Sequence, residues 1–273
     1  MIATALSIAG SDPSGGAGIQ ADLKAFSARG VYGMTALTAL TAQNTQGVSG
    51  VHLVPPSFVA DQIASIFDDI RVDAVKIGMI ANADIAAAVA DALHSHKDVP
   101  IVLDPVMIAK GGHPLLEPEA MEMVRTRLLP LAHMLTPNLP EAAALLGQTE
   151  AKTRDEMLAQ GKALLALGPK AILMKGGHLD SEESPDLLVT EDGVSWFEAE
   201  RINTVNTHGT GCTLSAALAA ELAKEKDPAA AVAAAKSYLA GAVAMADDLN
   251  VGSHNKDKTG HGPTHHFHEL WAE

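Results

Sequence analysis

What most constrains this chain is an alternation. Short apolar runs rich in β-formers recur along it, and longer stretches with helical periodicity separate them. "ATALSIAG" (3–10) predicts a buried strand and "IQADLKAFSARG" a helix ending at Gly30. "MTALTALTAQN" (34–44) fits either state, with its threonines favouring a strand, and Pro55-Pro56 introduce a helix over "SFVADQIASIFDDI". "DAVKIGM", "PIVLDPVM", "AHMLTPN" and "AILMKGG" predict further strands. Helices are expected over "NADIAAAVADALHSH", about Pro118 to Leu129, "PEAAALLG" and "TRDEMLAQGKALLALG". "PDLLVTEDGVSWFEAE" predicts a hairpin turning at Asp192-Gly193, and two alanine-rich helices follow near Cys212–Lys224 and Pro228–Asp248.

Strand and helix in alternation imply a mostly parallel sheet with helices on both faces. No internal repeat or Pro/Gly/Ser linker divides the chain, which predicts one domain over 1–273, with a histidine-rich tail from about 253. Ligands of such folds bind beyond the carboxyl ends of the strands. The unusual residues fall at those ends: Gly10, Gly78-Met79, Asp104-Pro105, Pro137-Asn138 and Lys175-Gly176-Gly177.

Net charge limits the partners. At −14, the chain repels nucleic acid and anionic membranes, and a phosphorylated ligand would need positive charge supplied locally by its site. One cysteine allows no internal disulfide. The start lacks the basic flank and long apolar core of a secretory signal, and no apolar run approaches the ~20 residues that span a bilayer. These features lead us to expect a cytoplasmic protein that contacts neither nucleic acid nor membrane.

Each candidate site residue has two readings. Cys212 sits where "NTHGTGC" runs into a helix, a place for a packed thiol or for one favoured as thiolate by the helix start. "SDPSGGAGIQAD" lacks the Lys-Ser/Thr of a P-loop and does not fit G-x-G-x-x-G, so its glycines either turn the chain or let it approach a ligand. Asp22 suits the helix dipole or faces the cleft. Asn138 and Glu141 form a capping box, or orient the water shell of Mg²⁺. Asp104 is a turn former or a second acidic group near a metal–nucleotide. Lys175 follows four apolar residues, so its ammonium must leave a buried strand, where it could meet phosphate. Gln43 is a polar loop residue, or pairs its amide with a ring nitrogen beside an amino group. The tail holds five of the twelve histidines in no zinc-like spacing, which favours a loop role over a metal site.

Together, "AGSDPSGGAGIQADLKAFSARGVYGMTALTALTAQNT", "KIGMIA", "VLDPVM", "TPNLPEAAALL", "LMKGGH" and "NTHGTGCTLSAALAA" resemble the hydroxymethylpyrimidine/phosphomethylpyrimidine kinases of the ribokinase-like superfamily. The resemblance runs from about Ala3 to Gly252 and resumes at "GHGPTHHFH", across a joint, "SHNKDKTGHG", that is longer than usual. It implies a three-layer αβα ribokinase-like fold, usually dimeric. It further implies ATP- and Mg²⁺-dependent phosphorylation of 4-amino-5-hydroxymethyl-2-methylpyrimidine and then of its monophosphate, in thiamine biosynthesis.

By the same resemblance, Gln43 reads the pyrimidine edge, Gly10 and Val106 line the pocket through their backbones, Met79 packs on the ring, and Asp22 lies near the hydroxymethyl end. Asn138 and Glu141 match the N-x-x-E metal motif, with Asp104 nearby, and Lys175 contacts ATP phosphates. Gly209, Thr210, Gly211 and Cys212 form the anion hole for the transferred phosphoryl group. Cys212 replaces the aspartate base of related sugar kinases and is expected as a thiolate base for the first transfer. The rivals are a pyridoxal/pyridoxine kinase of the same superfamily and a non-catalytic nucleotide-binding protein.

Overall fold

The computed structural model describes residues 1–107, 118–252 and 260–271. Within these residues, nine strands form one sheet in the order β3-β2-β1-β4-β5-β6-β7-β8-β9. They are β1 (Thr4–Ser11), β2 (Tyr32–Asn44), β3 (Gly47–Leu53), β4 (Ala74–Ile77), β5 (Ile101–Leu103), β6 (Met134–Leu135), β7 (Ala171–Lys175), β8 (Asp186–Thr190) and β9 (Gly193–Phe197). The six central strands from β2 to β7 run parallel, and β3, β8 and β9 add antiparallel edges.

Helices cover both faces, as the alternation requires. α2 (Pro56–Asp69), α3 (Ala83–Leu93), α5 (Leu139–Leu146) and α6 (Arg154–Leu165) pack Val59, Ile63, Ile85, Leu139 and Met157 against Leu6, Ile8, Val75, Ile101 and Ile172. α4 (Pro118–Met123) continues as a π turn and a 3₁₀ turn to Leu131. The other face carries α1 (Gly18–Ala28), α7 (Thr210–Ala223) and α8 (Pro228–Ala244). There the sheet presents Ala5, Ala74 and Ala171, small residues that let the alanine-rich α7 approach closely. α7 is buried on nearly every side, from Thr213 to Glu221, which marks it as a central helix rather than an amphipathic one.

Three differences from the expected elements bear on function. The ambiguous stretch at 34–44 is strand, and β3, which the sequence did not announce, pairs back on it. β2 also outruns β1, whose last paired residue, Ser11, meets Leu40. Gln43 therefore stands on an overhang beyond the parallel sheet. The last long helix ends at Ala244 rather than Asp248, in a 3₁₀ turn.

Candidate active site

A cavity of about 530 Å³ opens where the carboxyl ends of the parallel strands meet the start of α7. Gly10, Gln43, Met79, Asp104, Val106, Asn138, Glu141, Lys175 and the Gly209–Cys212 turn all line it. Thirteen residues were singled out as candidates, and Asp22 is absent from this lining.

The Gly209–Cys212 turn is built by steric necessity. Gly209 adopts φ 77° as N-cap of α7, with no side chain capping the helix. A Cβ there would overlap the carbonyl oxygen of Gly16 in the β1–α1 loop. The left-handed turn and the close packing both demand glycine, and the start of a helix is a place where backbone N–H groups can meet an anion. A Cβ on Gly211 would lie 3.4 Å from Lys175 Nζ and 3.6 Å from Asp104 Oδ2, so the turn faces that charged pair.

Lys175 Nζ donates to Asp104 Oδ1 at 3.0 Å and stands 3.7 Å from Glu141 Oε2. Burial works against the Lys175 charge, but Asp104 and Glu141 overcome it and raise its pKa. Asp104 also accepts from Thr136 and Ser215, at 3.2 Å each. Burial opposes its ionisation, yet Lys175 and Lys76 bring its pKa below the ordinary carboxylate value. Glu141 goes the other way: burial, helped by the Asp104 charge, pushes it up to about 7 despite Lys175. The capping box is present as well, with Glu141 N–H donating to Asn138 Oδ1 and Asn138 N–H to Glu141 Oε2, each at 2.8 Å. Asn138 spends its carbonyl oxygen on that cap and so helps by fixing the Glu141 backbone.

Two expectations need correction. Asp22 does not reach the cavity: it is fully buried, accepts from Ser7 Oγ at 2.6 Å, and holds both oxygens 2.9 Å from Lys76 Nζ. Its partner Lys76, not Asp22, is among the residues lining the cavity. Second, the helix start does not leave Cys212 a thiolate. Burial, helped by the Asp22 and Asp104 charges, pushes its thiol up to about 11 despite Lys76 and the Gly18 N–H.

Among the lining residues that the sequence reading did not single out are four polar ones, Asp12, Thr41, Lys76 and His208. Lys76 lies in "DAVKIGM", where two apolar residues precede it and one follows, a weaker form of the signal that singled out Lys175. Asp12 and His208 stood inside quoted motifs, but their pairing at 2.9 Å spans most of the chain and leaves no local signal. The tail adds a brace: His208 N–H donates to Gly262 O at 3.0 Å, and His266 Nε2 lies 3.0 Å from Thr213 Oγ1. Among the described residues, no group of three or more His, Cys, Asp or Glu forms a metal cage, the tail histidines included.

Comparison with known proteins decides the family. The phosphomethylpyrimidine kinase family model matches residues 12–265. This chain belongs to that family. A hydroxymethylpyrimidine/phosphomethylpyrimidine kinase of Salmonella typhimurium is 57% identical to it over 98% of each chain. A crystal structure of phosphomethylpyrimidine kinase from Clostridium difficile 630 superposes with a TM-score of 0.79 at 44% identity, over 89% of this chain and all of the other. The crystal structure of an ADP complex of a pyridoxal kinase from Bacillus subtilis, 39% identical, superposes with a TM-score of 0.88 over the full length of both. The ribokinase-like αβα fold is thus shared by kinases of two heterocyclic alcohols.

Proposed function

We propose that this member of the phosphomethylpyrimidine kinase family uses ATP and Mg²⁺ to phosphorylate 4-amino-5-hydroxymethyl-2-methylpyrimidine, and then the monophosphate to the diphosphate, in thiamine biosynthesis. The observation that carries the reading is one cavity joining Gln43, an amide able to read an aminopyrimidine, to Lys175 and the uncapped start of α7. A chain of net charge −14 needs that local positive potential to hold phosphate.

Each side chain then has a task. Met79 and the Gly10 and Val106 backbones pack the ring, and Gln43 sets its register. The Gly209, Thr210, Gly211 and Cys212 turn receives the transferred phosphoryl group, whose transfer depends mainly on positioning and charge stabilisation. Lys175 and Asn138 stand at the ATP phosphates. Cys212 meets the acceptor hydroxyl as a neutral thiol, so the rate rests on amides and ammonium rather than on a strong base. Glu141 and Asp104 suit Mg²⁺, which takes one or two carboxylates, keeps waters and binds mostly through phosphates rather than in an all-protein cage. Bound there, the ion would neutralise charge developing on the phosphates.

We read the chain as one domain, for which the single sheet is the support, and as cytoplasmic, which its lone cysteine fits. We read it as a homodimer because the β2–β3 ribbon leaves Leu40, Val51 and Leu53 exposed on or beside an unpaired edge, with Phe58 exposed at the start of α2. Sedimentation equilibrium tests this, with a monomer at all concentrations as the contrary result.

The likeness to the Bacillus subtilis pyridoxal kinase supports one second reading, a pyridoxal/pyridoxine kinase. A steady-state assay with each alcohol separately, following mono- and diphosphate, tests the choice. Diphosphate from the pyrimidine supports the first reading. Turnover of pyridoxal alone supports the second, and no turnover of either supports a nucleotide-binding protein without catalysis.

A further inference from the structure

The amide of Gln43 lies between two neighbours whose hydrogen-bonding roles are already fixed. Its Nε2 is 3.3 Å from His208 Nε2, and its Oε1 is 3.3 Å from Thr41 Oγ1. His208 Nε2 also lies 2.9 Å from Asp12 Oδ2. The Asp12 carboxylate accepts from the Ser14 N–H and hydroxyl and from the Ala17 N–H, at 2.7–2.9 Å. Burial opposes its charge, but His208 and Ser14 bring its pKa below the ordinary value. An ionised carboxylate only accepts, so the ring nitrogen facing it carries a hydrogen. An –NH₂ group opposite that nitrogen sets donor against donor. Thr41 has one hydroxyl hydrogen, and the carbonyl oxygen of Ser11 takes it at 2.9 Å. Thr41 therefore offers Gln43 lone pairs, and a carbonyl oxygen there sets acceptor against acceptor. Half a turn of the amide, whose two ends have the same shape, removes both conflicts.

We propose that His208 and Thr41 are positioning residues that hold Gln43 with its carbonyl oxygen toward His208 and its –NH₂ toward Thr41, and that this order decides which way round the heterocycle lies. The inference rests on the aminopyrimidine reading above. In that ring the amino-bearing carbon lies between a ring nitrogen and the carbon carrying the hydroxymethyl group. The amino group donates to Oε1 on the His208 side, and the ring nitrogen accepts from –NH₂ on the Thr41 side. The hydroxymethyl group then lies beyond the amino group, on the side of His208, which runs directly into the Gly209–Cys212 turn. The alcohol faces the amides that hold the phosphoryl group. The opposite amide order would point it away.

The test uses two probes, the amino alcohol and its 4-oxo analogue, which presents a ring N–H beside a carbonyl and so reverses the pattern. The wild type is expected to prefer the amino alcohol by about 100-fold or more in kcat/KM, the effect of two mismatched hydrogen bonds. Thr41→Val removes one fixed partner at similar shape, and His208→Leu removes the other. In each, one of the two constraints on the amide is lost and the preference falls by about tenfold. Thr41→Ser keeps the hydroxyl and restores the preference. A merely structural role would lower turnover of both probes alike and leave their ratio unmoved. An unchanged ratio in Thr41→Val and His208→Leu overturns the proposal, as does a wild type that accepts both probes equally. Phosphorylation of neither probe by the wild type overturns the aminopyrimidine reading itself, and the orientation with it.

Discussion

Lys175 stands 3.0 Å from Asp104 and 3.7 Å from Glu141, so one ammonium serves a buried and a partly exposed carboxylate unequally. Asp104, the nearer, keeps its charge, and Glu141 is left to titrate at about 7. The affinity for Mg²⁺-nucleotide should therefore rise with pH through about 7, as Glu141 becomes able to face a cation, and Glu141→Gln should flatten the rise. Calorimetric titration between pH 6 and 8 checks this. Stability has the opposite sign. The folded state binds the Glu141 proton more tightly than the unfolded one, so this stabilisation is present below the unfolded value and is lost as pH rises through about 7. Relative to Glu141→Gln, the wild type should lose unfolding temperature over that interval.

A thiol raised to about 11 by burial is protonated at neutral pH. Alkylation of Cys212 by iodoacetamide should be slow at pH 7 and quicken about tenfold per pH unit up to pH 10. A plateau below pH 8 would restore the thiolate. Cys212→Ala should slow either transfer by no more than about tenfold, because positioning dominates phosphoryl transfer.

Gly209→Ala should be far more harmful. The residue sits at φ 77°, and a Cβ would overlap the Gly16 carbonyl. The turn must open, with a fall in kcat of about 10²-fold or more, as expected for a lost anion-hole donor. Steady-state rates beside an unchanged far-ultraviolet circular dichroism spectrum would separate this from unfolding.

His266 braces Thr213 at the first turn of α7, and burial pushes its pKa down to about 3. The folded state holds it neutral while the unfolded chain protonates it below about 6.5. Stability should therefore fall as pH drops from about 6.5 toward 3, by up to roughly 1.4 kcal/mol per unit from this group. His266→Gln should show a shallower decline in chemical denaturation across that range.

Most of the architecture was legible because the two periodicities differ, and the strand ends could be placed without knowing the strand order. Twelve of the thirteen residues singled out as candidates line one cavity, because each marked a strand end or a helix start. What stayed hidden was set by contacts distant in sequence. Asp22 reads as an early helical carboxylate until Lys76, on strand β4, is seen to pair with it. β3 is mostly exposed and carries little apolar periodicity, so its only signature is pairing with β2. The thiol of Cys212 reads as activated from its helix start alone, and burial, which reverses that, belongs to the assembled site.

The central claim is that the heterocycle docks on Gln43 with its alcohol in line with the amides of the Gly209–Cys212 turn. A crystal structure with the pyrimidine alcohol and a non-hydrolysable ATP analogue tests it most directly. The account predicts the amino group on Gln43 Oε1, the hydroxymethyl oxygen pointing at the γ-phosphate, and that phosphate hydrogen-bonded by the turn. A ring bound away from Gln43, or a γ-phosphate held without those amides, would contradict it.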